Sequence, residues 1–209
     1  MLRLMGLNLT LFMADWERLG AFPVEDRIDA LDDTVWPPGD DESLRCVRSG
    51  GWRWPPDPGA GWCAEYEFFT TTGSYRPHSR AGDGWADMRT SVDAPVREAV
   101  DTFLGGLIWD ADPAEDPALN GGGGFFPPVT DPRHPHLLLV CPPEAVERKV
   151  AAWKEVEPCL DVLRAPFAAE CEGWTGRPDT FEDFALLLRE WGSVIIEAGG
   201  RGWGLVGVP

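Results

Sequence analysis

The residues best suited to chemistry in this chain are its three histidines, which fall in two short stretches, Ser74-Tyr75-Arg76-Pro77-His78-Ser79-Arg80 and Asp131-Pro132-Arg133-His134-Pro135-His136. Histidine titrates near neutral pH and is the commonest metal ligand, so a fold that joined these stretches would concentrate proton-transfer capacity in one place. His134 and His136 project to the same side at the mouth of a strand. With His78 or a carboxylate such as Glu67 they could form a three-ligand site with a position open to water. Against this stands Pro135, which keeps the segment out of a central strand; loop histidines bonded to backbone or solvent fit the pattern better. No residue is therefore assigned to a metal, and no cofactor is named.

The first stretch offers a second kind of site. Arg76 and Arg80 flank His78 in an otherwise acidic chain, and arginine grips carboxylate or phosphate through paired N–H donors. Tyr75, Arg76, Arg80 and the following Trp85 are candidate ligand contacts, joined by Arg133 if the two stretches meet. His78, His134, His136 and Glu67 are the candidate acids and bases. The competing reading is that these arginines offset nearby acids such as Asp83 and Asp87.

Glu65 and Glu67 share one face of a strand, about 7 Å apart. Carboxylates near that separation can divide acid and base roles in glycoside hydrolysis, and neighbouring tryptophans would suit sugar stacking. A strand with one solvated face shows the same alternation. Cys63 and Cys141 are possible nucleophiles, although buried thiols are commonly inert. The glycines at 121–124 lack the Gly-Lys-Ser/Thr ending of a phosphate loop. No GxSxG, HExxH or SxxK occurs.

The elements that must position these groups follow from periodicity. Leu7, Leu9, Leu11 and Met13 alternate with Asn8, Thr10 and Phe12, predicting a strand over 5–13. A helical turn is expected at 15–19, and Val24, Ile28, Leu31 and Val35 mark a helix that Pro37-Pro38 stops. Residues 37–62 read as a long loop pinned by Trp52, Trp54 and Trp62. A strand is expected over 65–72, ended by Gly73-Ser74. A helix capped by Asp93, with Pro95 in its first turn, buries Val96, Val100, Phe103 and Leu107 and exposes an Arg97–Asp101 pair. After a second irregular stretch at 110–135 come a strand over 137–141, a helix over 143–156 burying Val146, Val150 and Trp153, and a short helix near Leu160 and Leu163. The last helix starts at a capping box of Asp179 and Glu182 and buries Phe181, Phe184, Leu188, Trp191, Ile195 and Ala198. Gly199-Gly200 stops it, and a strand closes the chain over 203–208. Interleaved strands and helices predict one α+β domain over 1–209, with a mixed or antiparallel sheet, helices packed on it and long Pro/Gly/Trp-rich loops.

The opening Met5-Gly-Leu-Asn-Leu-Thr-Leu-Phe12, the Leu119-Asn-Gly-Gly-Gly-Gly124 patch, the Pro-Pro-Glu-Ala-Val segment at 142–146 and the C-terminal Leu-Arg-Glu-Trp helix leading into Gly202-Trp-Gly-Leu-Val resemble the YfbM-like family of bacterial proteins. The resemblance implies a single α+β domain and brings neither an activity nor a catalytic residue.

Composition limits the partners. With 18 Lys plus Arg against 35 Asp plus Glu, the net charge of −17 repels phosphate backbones and anionic membranes. It favours encounter with a basic protein. Eleven tryptophans imply a dense aromatic core or an aromatic-lined groove. Five scattered cysteines form neither a disulfide framework nor a zinc ribbon, and the opening lacks a cleavage site, so a reducing cytoplasm is expected. Two classes of function follow: a binding or interaction protein, for example an acidic inhibitor or immunity-type partner of a basic protein, and alternatively a small-molecule enzyme using a His/carboxylate site, with or without metal assistance, on an anionic substrate.

Overall fold

The computed structural model describes residues 8–37, 47–109, 124–127 and 137–209. Their strands are β1 (Thr10–Ala14), β2 (Val47–Ser49), β3 (Trp52–Trp54), β4 (Cys63–Tyr66), β5 (Leu139–Cys141) and β6 (Gly204–Val208). They form one open sheet in the order β2-β3-β4-β1-β6-β5, antiparallel at every pairing. Helices α1 (Trp16–Gly20), α2 (Arg27–Val35), α3 (Arg76–Met88), α4 (Ala94–Leu104), α5 (Pro143–Val156), α6 (Arg164–Glu170) and α7 (Phe181–Arg201) complete the α+β fold.

Strand alternation divides the core in two. Leu11 and Met13 of β1, Tyr66 of β4 and Leu205 of β6 point to the face covered by α3 to α7. Phe12 and Ala14, Cys63 and Val206 point to the opposite face, under Leu19 of α1 and Ile28, Leu31 and Val35 of α2. A sheet covered on both faces has few sites for polar side chains, which is why the strands are mostly apolar.

Several expected boundaries move. The first strand is Thr10–Ala14, and the expected loop over 37–62 contains the β2–β3 hairpin, whose turn residues Gly50 and Gly51 have φ 58° and 87°. Positive φ at both positions is the backbone of a two-residue hairpin turn, which glycine adopts without strain. The expected strand over 65–72 ends at Tyr66, because Glu67 to Gly73 fold back as a turn. The stretch around His78, to which periodicity assigns no element, forms the first turn of α3, with Pro77 at a helix-start position. Helix α7 is capped by Thr180, whose hydroxyl accepts from Asp183 N at 3.1 Å, rather than by Asp179. It runs through Gly199-Gly200 and ends at Gly202, with φ 69°. Asp93 holds the N-cap position of α4 without a side-chain bond.

The tryptophans serve the core far more than any groove. Trp52, Trp62, Trp85, Trp153 and Trp191 are buried, and Trp174 is the exposed one among those described. Trp153 lies where a Cβ on Gly192 would come within 2.1 Å of its ring, so glycine in mid-α7 is set by close packing against α5. Lys149 of α5 is buried and donates to the carbonyls of Thr102 (3.0 Å), Phe103 (3.3 Å) and Gly105, where the helix dipole of α4 is negative. No described helix is long and apolar enough to cross a membrane.

Candidate functional site

The most unusual local structure is the turn over 67–73. Glu190 of α7, buried in the apolar core, accepts from Phe69 N at 2.6 Å, Thr70 N at 3.2 Å, Tyr66 Oη at 3.4 Å and the Thr70 hydroxyl. A carboxylate is tolerated there because several donors replace its lost water. The turn is also joined to β1, through Leu9 N to Gly73 O at 2.7 Å. Thr72 has φ 49°, the one positive value among described non-glycine residues. Such backbone costs on the order of 1–3 kcal/mol and persists where the surroundings dictate it, often beside a ligand. Phe68 is turned inward and Phe69 outward, the latter 72% exposed.

His78 lies beneath this turn, wholly buried. Phe68, Tyr75 and Trp191 pack their rings around it at centroid distances of 4.6, 6.1 and 5.7 Å. Trp191 Nε1 donates to Nδ1 at 3.1 Å, and Nε2 lies 3.3 Å from Thr71 Oγ1. Burial pushes the His78 pKa down to about 3, so the ring is neutral at physiological pH. The residue expected as a general acid or base thus lies in the core with both ring nitrogens engaged, one by Trp191 and one by Thr71. Its tautomer follows from chemistry. Indole N–H only donates, so Nδ1 must accept and Nε2 must carry the proton that Thr71 receives.

Thr70 and Thr71 line a cleft of about 300 Å³ closed by Pro77 and Arg80 of α3 and by Asp183, Phe184 and Leu187 of α7. Arg80, a quarter exposed, meets Asp179 Oδ1 only at 3.9 Å, beyond hydrogen-bond length. Its Nε is buried without any partner. Of the expected arginine-rich site, then, Arg80 reaches a cleft, Arg76 stands exposed one turn earlier on α3, and Tyr75 is half-buried against His78. Trp85 is not a ligand contact. It is fully buried and donates to Asp101 at 2.8 Å. Arg89 completes the Asp101 bonds at 3.2 and 2.5 Å, in place of the expected Arg97 pairing. Asp83 and Asp87 pair with Arg177 rather than with Arg76 or Arg80.

Glu67 lies on the other side of the turn. It is exposed, 2.9 Å from Arg48 and 3.9 Å from Arg53. Glu65 shares its face, as alternation requires, and receives Trp36 Nε1 at 2.7 Å and Arg53 at 3.6 Å. Burial raises the Glu65 carboxyl, opposed by Arg53 and Trp36. Because Arg53 serves both carboxylates, they form an ion-pair ladder on the sheet rather than an open acid/base pair. Burial pushes the thiols of Cys63 and Cys141 up to about 12 and about 11, so neither is a nucleophile at neutral pH.

His134, His136 and Arg133 lie outside the described residues, as do Gly121 to Gly123. Among the described residues no cluster of three or more His, Cys, Asp or Glu could hold a metal ion. Sequence reasoning missed Glu190, although an acid beside Trp191 within the apolar stripe of α7 was the signal. It also missed Arg27, which is buried and donates to the carbonyls of Phe22 (3.1 Å), Gly20 (3.0 Å) and Phe125.

Comparison with known protein families, with curated proteins and with solved structures finds no match.

Proposed function

We propose that the chain is a cytoplasmic binding protein whose ligand is a small polar molecule held, without chemical conversion, in the cleft between the 67–73 turn, α3 and α7. The observation that carries this reading is Arg80: its guanidinium lines the cleft, meets Asp179 at 3.9 Å and makes no hydrogen bond to the described protein. His78, buried with both ring nitrogens already engaged, argues against acid–base catalysis at the same place. Backbone NMR of the protein with a panel of small metabolites tests the reading. Ligands should move the amide signals of Thr70 to Thr72 and of Arg80, and Arg80→Gln should abolish the effect. A panel that leaves these signals unmoved overturns it.

A second reading concerns the opposite face of the sheet. Glu17 on α1, Glu25 and Asp26 on the 3-10 turn that precedes α2, and Asp29, Asp32 and Asp33 on α2 are exposed and make no ion pair with a described residue. Partial burial and the charges of Asp33 and Asp29 raise the Asp32 carboxyl. Such a face suits a basic protein partner, as for an acidic inhibitor. Binding of an oligolysine peptide should weaken steeply with salt and be lost in Asp29→Asn/Asp32→Asn/Asp33→Asn; binding indifferent to these changes excludes it.

A further inference from the structure

We infer that the cleft beside Arg80 is built for a small zwitterion, of which a free α-amino acid is the simplest kind. This rests on the small-ligand reading above and specifies the ligand's chemistry. The argument begins with two adjacent threonines whose hydroxyls have opposite polarity. The Thr70 hydroxyl spends its proton on Glu190, so only its lone pairs remain for a ligand. The Thr71 hydroxyl receives the proton on His78 Nε2 and donates to no described protein acceptor, so its own proton remains to be given. The tautomer of His78 settles this difference, and the indole of Trp191 settles the tautomer.

The charged groups around the cleft divide in the same way. Arg80 contributes unspent donors, whereas Asp179 and Asp183 contribute acceptors to the same lining. Asp183 accepts the Thr180 hydroxyl at 2.7 Å through Oδ2, which leaves lone pairs on its second oxygen. A purely anionic ligand would meet two carboxylates, and a purely cationic one would meet the guanidinium. A molecule carrying both charges a few ångströms apart satisfies all three, with its carboxylate toward Arg80 and Thr71 and its ammonium toward the aspartates and Thr70. Phe184, Leu186 and Leu187 with Pro77 and Pro178 supply an apolar wall for a side chain. A volume of about 300 Å³ is at the small end of ligand pockets and suits a molecule of amino-acid size.

The test titrates the full chain by calorimetry and amide NMR with each of the common L-amino acids, up to about 10 mM. For each binder it adds the same carbon skeleton lacking the ammonium and the skeleton lacking the carboxylate. At least one amino acid should shift the Thr70 to Thr72 signals, and removing either charge should weaken it by about tenfold or more. Arg80→Gln should weaken it similarly while the unfolding midpoint changes little, because the substitution removes only a 3.9 Å ion pair to the exposed Asp179 and no hydrogen bond within the described residues. If the ammonium-free acid binds as tightly as the amino acid, the cleft is an anion site and the zwitterion inference falls while the small-ligand reading stands. If no amino acid moves those signals, the zwitterion inference falls, and the small-ligand reading stands or falls with the broader metabolite panel.

Discussion

Single residues in this protein are decided by what they must bond to once buried. His78 is the clearest case, and its stability consequence has a definite sign. The folded pKa is near 3 and the unfolded value near 6.5, so between them the unfolded chain binds the proton that the native ring refuses. Stability is therefore fully present above about pH 6.5 and is lost as pH falls toward 3. His78→Gln offers an acceptor to Trp191 and a donor to Thr71 without titrating. Urea unfolding should show the native protein losing up to roughly 3 kcal/mol more than the variant between neutral pH and about pH 4. Equal acid sensitivity of the two proteins would show that the ring does not resist protonation. Glu190 is a second case. Glu190→Gln keeps the size but replaces an acceptor-only oxygen by an NH2 facing donors, and should cost about 2–4 kcal/mol with faster hydrogen exchange at Phe69 and Thr70.

At the scale of elements, legibility followed the local pattern. The alternation of Leu9, Leu11 and Met13 and the stripe of Phe184, Leu188, Trp191 and Ile195 are properties of consecutive residues, and a strand and a helix form there, with their ends shifted by a few residues. Helix α3 was missed because Arg, Pro, Gly and Ser dominate its start, although His78, Ala81, Trp85 and Met88 carry helical spacing. The hairpin over 47–54 was missed because strands of three residues leave little periodicity to read. Glycines in α7 differ in the same contextual way. Gly192→Ala should lose about 1–3 kcal/mol despite alanine's higher helix propensity, since the added methyl enters the Trp153 ring. Gly200→Ala meets nothing within 4 Å and should gain several tenths of a kcal/mol up to about 1. Thermal unfolding of the two variants, with shifts of opposite sign, checks the distinction.

Over the whole molecule the acid excess acts as a distributed repulsion. At a net charge of −17, screening should raise the unfolding midpoint as salt increases from about 0.02 to 0.3 M, before any stabilisation by surface exclusion. A midpoint that falls over this range would mean that the surface ion pairs, such as Arg164–Glu182 and Arg48–Glu67, outweigh the repulsion. By itself the sequence determined the α+β class, the principal helices after residue 90, the strands at both ends and the acid excess. Those features arise from composition and near-neighbour periodicity. Only the tertiary structure decided that His78 is a neutral buried donor to Thr71, that Trp85 belongs to the core and that Arg80 faces a cleft. Each of those outcomes depends on a partner far along the chain, Trp191 for the histidine, Asp101 for the indole and the start of α7 for the arginine, and no local pattern encodes which distant group will arrive.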